Sequence, residues 1–165
     1  MTLAEAAARA DELAAAGDER ELANLRKEWD DEVEHAARHA DYRLRAQAYR
    51  AIAQFRFRQK LELLRRGLQD ESPAARGSAL IALEGLLRTH PGDVNAVRSV
   101  LHELATNDGN MAVRRLAIVC LKNGSPQRET ILILNGLADD DEQDSELRKT
   151  AKTVAAALQK RANTR

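Results

Sequence analysis

Residues 68–86 read Leu68-Gln69-Asp70-Glu71-Ser72-Pro73-Ala74-Ala75-Arg76-Gly77-Ser78-Ala79-Leu80-Ile81-Ala82-Leu83-Glu84-Gly85-Leu86. A leucine closes one helix, an acidic turn follows, and Ser72 and Pro73 open the next. Serine is a good N-cap. Proline at the first helical position loses nothing, because its missing N–H would lack a helical partner there anyway. The helix expected over residues 74–87 is apolar nearly all round, which suits an element packed between neighbours. Its core, Ala75-Arg76-Gly77-Ser78-Ala79, is an apolar residue, arginine, two residues and alanine. Three other segments share the pattern: Leu44-Arg45-Ala46-Gln47-Ala48, Val113-Arg114-Arg115-Leu116-Ala117 and Leu147-Arg148-Lys149-Thr150-Ala151. The arginines stand 31, 38 and 34 residues apart. A period in this range signals stacked supersecondary units.

Working outward, Thr2 and Glu5 have capping-box spacing, and Gly17 suits the position just past a helix end. Residues 18–40 carry Leu22, Leu25, Trp29, Val33, Ala36, Ala37 and Ala40 in steps of three and four, one helical stripe. Asp41 caps the next helix. After Phe55 the apolar phase slips, predicting a kink near residues 56–58. Further helices are expected over 94–106, 111–122, 127–138 and 145–160. Gly124 is expected just past a helix end, Ser125 as an N-cap, and the tail 161–165 as frayed. Each unit is then helix, acidic turn, helix, with the motif arginine opening the second helix. The expected organisation is one domain over 1–165. Residues 1–17 form a capping helix, followed by helical hairpins over 18–55, 57–88, 93–122 and 126–160.

Alanine, leucine, glutamate and arginine dominate, β-branched residues are sparse, and the chain reads as all-α. At 165 residues it can bury a core without disulfide or metal. Cys120 is the only cysteine, which suits a reducing compartment. No stretch approaches the ~20 apolar residues that span a bilayer. With no secretory pattern at the start, the expectation is a cytoplasmic protein with no membrane contact. Net charge is zero, yet residues 1–42 hold 12 acids and 5 bases while 43–66 hold 1 acid and 8 bases.

The 68–86 stretch resembles a HEAT repeat almost position by position, and residues 104–121, with Asp108, Val113, Arg114, Ala117 and Leu121, resemble a second. The copies at Arg45 and Arg148 resemble the family more weakly; the first has His39 where the turn acid belongs. The resemblance implies a short right-handed α-solenoid whose second helices line a concave surface. It also implies a scaffold or adaptor rather than an enzyme. The His-Glu pairs that HEAT-like iron hydroxylases repeat are represented here only by His102-Glu103, in a first helix. The groove aromatics and acids of HEAT-like glycosylases have no convincing counterpart. No glycine-rich phosphate loop or nucleophile motif is present.

Asp70 precedes Arg76 by six residues, Asp108 precedes Arg114 by six, and Glu142 precedes Arg148 by six. An arginine fork in the first turn of a helix can reach back to a carboxylate and to turn carbonyls. Arg45, Arg76, Arg114 and Arg148, with Asp70 and Asp108, therefore read as structural fasteners. Arg45 lacks the acid and stands out as the copy available for another role.

All five aromatics, Trp29, Tyr42, Tyr49, Phe55 and Phe57, lie in residues 29–58 among Arg43, Arg45, Arg50, Arg56 and Arg58. Interleaved aromatics and arginines can stack bases and neutralise phosphates. The competing reading places Trp29 and Phe55 in the core and pairs the basic segment with the acidic helix before it. Asp31, His35 and His39 share one helix face, but no further strong ligand is near, so no metal or cofactor is expected. Cys120 sits among apolar neighbours and reads as a core thiol.

The expected function is a non-catalytic module that binds a protein partner on the face of its second helices. Ala46, Arg43, Tyr49, Arg50, Arg115, Lys149 and Lys152 are its candidate contacts. The alternatives are a nucleic-acid-binding or nucleoprotein-complex subunit using the basic aromatic first repeat, and a small inhibitory or immunity-type regulator.

Overall fold

Thr2 opens helix α1, Leu3–Ala16, by accepting the Glu5 N–H while Glu5 reaches back to the Thr2 N–H, the reciprocal capping box. Gly17 closes it at φ 74°, a left-handed conformation that glycine adopts without a Cβ penalty. The computed structural model describes residues 1–164. Among these residues all regular structure is helical. The α-helices after α1 are α2 Glu19–Ala37, α3 Tyr42–Gln54, α4 Leu61–Gly67, α5 Pro73–Thr89, α6 Arg98–Asn107, α7 Met111–Leu121, α8 Arg128–Asp139 and α9 Ser145–Asn163. Two 3-10 turns, Arg58–Lys60 and Pro91–Ala96, precede α4 and α6. No described helix is long and apolar enough to cross a membrane.

The chain divides into two compact units, Met1–Leu86 and Leu87–Arg165. In the first, α1 packs on both α2 and α3, and α2 pairs with α3. In the second, α6 pairs with α7, α8 with α9, and α7 packs on α9. Apolar positions at helical spacing make the cores. Leu22, Val33, Ile52, Phe55 and Leu64 fill the first; Leu101, Ile118, Leu134 and Leu158 fill the second.

The kink expected after Phe55 lies at Arg56, whose φ of 56° is left-handed. The Phe57 N–H donates to the Ile52 carbonyl and the Arg56 N–H to the Ala53 carbonyl, the pattern that usually ends a helix at glycine. Arg56 offsets the strain by donating to the Ala53 and Gln54 carbonyls and pairing with Asp11 at 2.9 Å. Just beyond, the acidic and basic segments meet. Lys60 Nζ, nearly buried, holds Asp30 at 2.8 Å and Glu34 at 2.9 Å and lies 5.1 Å over the Phe57 ring. Burial works against the Lys60 charge, but the two carboxylates outweigh it and raise the pKa.

Several expected boundaries move. α2 ends at Ala37 rather than Ala40. The helix expected over 94–106 is a 3-10 turn followed by α6, because Pro91 and Gly92 favour the tighter turn at its start. Gly124 is not left-handed and Ser125 is not the N-cap; Gln127 takes that place without a side-chain bond. A Cβ at Gly124 would fall 2.4 Å from Val94 Cγ1, so glycine stands there for space. The tail does not fray at 161: α9 runs to Asn163, and Arg161 donates to the Lys122 carbonyl on α7. Arg165 lies outside the described residues.

His102 on α6 sits 2.8 Å from the Thr130 hydroxyl on α8. Burial lowers its pKa below 6.5, with Arg98 adding to the effect and Glu129 opposing it. The folded state therefore favours neutral imidazole. Its contribution to stability is present above the unfolded value of 6.5 and is lost as pH falls through the lower folded pKa. Thermal melts at pH 7.5 and 5.0 are expected to show a drop that His102→Gln reduces; an equal drop in the variant contradicts the assignment.

Candidate functional site

The four motif arginines share one geometry, and their N-caps explain it. Asp41, Ser72, Asn110 and Asp144, each four residues before its arginine, accept a backbone N–H from the first turn of α3, α5, α7 and α9. In three copies the residue two before the cap holds the turn by accepting the cap's own N–H. It is Asp70 at 2.9 Å, Asp108 at 2.8 Å and, in the first copy, His39 through Nδ1 at 2.9 Å. His39 therefore does a turn aspartate's job, and the nitrogen that does it is not free for a metal. Its ring stands edge-on to His35 with centroids 6.4 Å apart. No group of three or more His, Cys, Asp or Glu among the described residues is placed to hold a metal ion.

Each motif arginine then reaches back to backbone carbonyls, in the preceding turn for Arg45 and Arg76 and in the last turn of the preceding helix for Arg114 and Arg148. Arg45 donates to His39 and Ala40, Arg76 to Asp70, Arg114 to Ala105 and Arg148 to Ala138, at 2.8–3.1 Å. The Ala105 and Ala138 carbonyls are among the acceptors a helix C-terminus leaves unpaired, and a cation suits that end of the dipole. The expected carboxylate partner differs in three copies, for Arg76 meets the Asp70 carbonyl while the Asp70 carboxylate goes to Arg45. Arg148 pairs with Asp141 at 3.1 Å rather than with Glu142. Arg45 does have an acid: Asp70, supplied by the turn between α4 and α5, accepts its Nε and Nη2, each at 2.8 Å. Arg45 is thus no exception available for binding. Its side chain is 12% exposed and that of Asp70 is 5%. The Tyr49 hydroxyl also donates to Asp70, at 3.1 Å. Burial, then the Asp70 charge, push the Tyr49 phenol up to about 12.

Superposing the copies on their arginines sorts the second helices into columns. Four residues past the arginine come Tyr49, Leu80, Ile118 and Lys152. Tyr49 is 4% exposed, and Leu80 and Ile118 are fully buried. The expectation that Tyr49 faces a groove is therefore corrected. Ala46, at 7%, is corrected likewise. Lys152 is exposed, but the same position faces inward in the other three copies. The open column is the next one: Arg50, Ile81, Val119 and Thr153. Arg50 and Thr153 are exposed, Val119 is half-buried, and Ile81 is 55% exposed. Arg115, half-buried, and Lys149, exposed, flank this column, while Arg43 is exposed but paired with Asp41 at 3.2 Å. Ile81, absent from the candidates chosen from sequence, was findable by the same superposition.

The aromatic and arginine cluster of 29–58 does not form a stacking surface. Tyr49, Phe55 and Phe57 are buried, and Trp29 is half-buried with its indole nitrogen enclosed. Tyr42 alone of the five is exposed. Cys120 is buried.

A comparison with curated proteins finds no match. Residues 30–103, which run from α2 into α6, match the family model for HEAT repeats. Over these residues the chain is similar to HEAT repeats, in keeping with helix pairs recurring along an all-α chain.

Proposed function

We propose that the chain is a non-catalytic interaction module whose protein partner docks on the open face of the second helices. HEAT repeats generally mediate contacts between proteins, and this supports the reading. The observation that carries it is Ile81. A large apolar side chain stands 55% exposed at the middle of α5, where Leu80, Leu83, Leu86 and Leu87 are buried. A large apolar residue presented to water is the composition of an interface anchor. The nucleic-acid alternative is weaker. The aromatics it would use for stacking are mostly enclosed, and Arg43, Arg45 and Arg56 are held by Asp41, Asp70 and Asp11.

Leu132 on α8 is the rival exposed apolar residue, at 59%. A photo-crosslinking amino acid at position 81 is expected to give a discrete protein adduct in cells, and the same group at position 132 is not. Ile81→Asp, with an unchanged helical CD spectrum, is expected to lower recovery of that partner at least ~10-fold, as loss of an anchor does. Adducts from position 132 alone, or full recovery with Ile81→Asp, would overturn the proposal.

A further inference from the structure

The partner's chemistry follows from which charges on the open face lack an opposite. Elsewhere the cations divide: Arg9 meets Glu12, Arg38 meets Glu34, Arg56 meets Asp11 and the nearly buried Lys60 meets Asp30 and Glu34, while the exposed Arg20, Lys27, Arg66 and Arg128 make no ion pair among the described residues. On the open face the unmatched cations share a helix side with apolar residues. Arg50 in the first unit, and Arg115 and Lys122 in the second, make no side-chain ion pair or hydrogen bond among the described residues. Helix α7, Met-Ala-Val-Arg-Arg-Leu-Ala-Ile-Val-Cys-Leu, contains no acid at all. Arg115 and Lys122 are seven residues apart, two turns on one side of the helix and roughly 10 Å along its axis. Leu116 and Val119, half-buried, lie between them in sequence and on the same solvent side. The acids of the face are engaged: Glu146 with Lys149 at 3.8 Å, and Glu84 with contacts of its own.

The first unit therefore holds the exposed apolar Ile81 and the unpaired Arg50, and the second holds the half-buried Leu116 and Val119 between the unpaired Arg115 and Lys122. Resting on the interaction reading above, we infer that the docked element is an acidic, amphipathic protein segment. Its apolar side chain seats against Ile81, or against Leu116 and Val119, and its carboxylates meet Arg50, or Arg115 and Lys122. Arginine favours this match because its planar fork donates two parallel bonds to a carboxylate. Lys122, seven residues from Arg115, gives a second point of contact and so a direction along α7.

The test is selection of a random peptide library on the intact chain, followed by fluorescence anisotropy of the best synthetic peptide. Enriched peptides are expected to carry acids on both sides of an apolar residue. Their binding is expected to weaken with salt, and to fall at least ~10-fold in the Arg50→Glu, Arg115→Glu, Lys122→Glu triple variant. Enrichment of neutral or basic peptides whose binding still falls with Ile81→Asp would overturn the acidic chemistry and leave the docking face standing. Peptides insensitive to every one of these substitutions would overturn both. A single-stranded oligonucleotide bound more tightly than any peptide, and lost in the triple variant, would overturn the acidic partner in favour of nucleic acid.

Discussion

Asp70→Ala is expected to destabilise the fold by about 3–5 kcal/mol, the usual consequence of removing one member of a buried ion pair. Asp70 accepts four bonds: two from Arg45, one from the Tyr49 hydroxyl and one from the Ser72 N–H. Alanine leaves the guanidinium with the His39 and Ala40 carbonyls and a distant, solvent-exposed Glu71 at 3.9 Å. It also strands a buried phenol and unties the turn that starts α5. A lost surface ion pair would matter far less, under about 1 kcal/mol, so the size of the effect tests the burial. For a chain of this length the melting temperature should fall roughly 10 °C. Replacing both partners, as Arg45→Met with Asp70→Leu, should recover much of the loss, because the penalty lies in the orphaned charge. The pH dependence gives a second readout. Burial acts to raise the Asp70 pKa, but Arg45, the Ser72 N–H and Tyr49 together hold it below 3.8. The stabilisation is present above 3.8 and is lost as pH falls through the folded value. The alanine variant should lack that acid-dependent step. An Asp70→Ala melt within a degree or two of wild type would show that the network does not hold the repeats.

Gly124→Ala is expected to cost about 2 kcal/mol, against the ordinary sign for such a change. Where the backbone permits alanine, losing a glycine stabilises by roughly 0.4–1 kcal/mol through the unfolded chain. Gly124 is not left-handed, so that gain applies. Space decides otherwise. The new methyl would meet Val94 Cγ1 at 2.4 Å, Arg98 Nη2 at 3.1 Å and Val94 Cβ at 3.3 Å. Arg98 can swing aside, but Val94 is 1% exposed and β-branched, so its χ1 has little freedom to yield. Overpacking of this kind costs roughly 1–3 kcal/mol, which exceeds the entropic gain. Gly92→Ala is the control, since nothing lies within 4 Å of its added methyl. Denaturant titration should place Gly92→Ala at or slightly above wild type and Gly124→Ala clearly below it. Equal midpoints for the two variants would remove the packing explanation.

Much of this architecture is legible along the chain because its causes are local. The capping box at Thr2 and Glu5, the left-handed end at Gly17 and the caps Asp41 and Ser72 depend on residues within four positions of one another. Gly124 was misjudged for the opposite reason. Its role depends on Val94, thirty residues away, and a glycine kept for space is indistinguishable in sequence from one kept for its dihedral angle. The first repeat misled in the same way. His39 looked like a missing acid, yet its Nδ1 accepts the bond an aspartate would. Arg45 looked unpaired, yet its carboxylate comes from the turn that begins at Asp70.

The sequence by itself determined the helices, their pairing into HEAT-like units and the arginine that closes each turn. Period, capping chemistry and apolar spacing are properties of neighbouring residues. Only the tertiary structure decided which side of each second helix meets solvent. That choice depends on what packs against the helix, and it moved Tyr49 from the binding face into the core. It also left Ile81 exposed to solvent while Leu80 beside it in sequence is enclosed, because a column of residues is exposed or covered by elements distant in sequence.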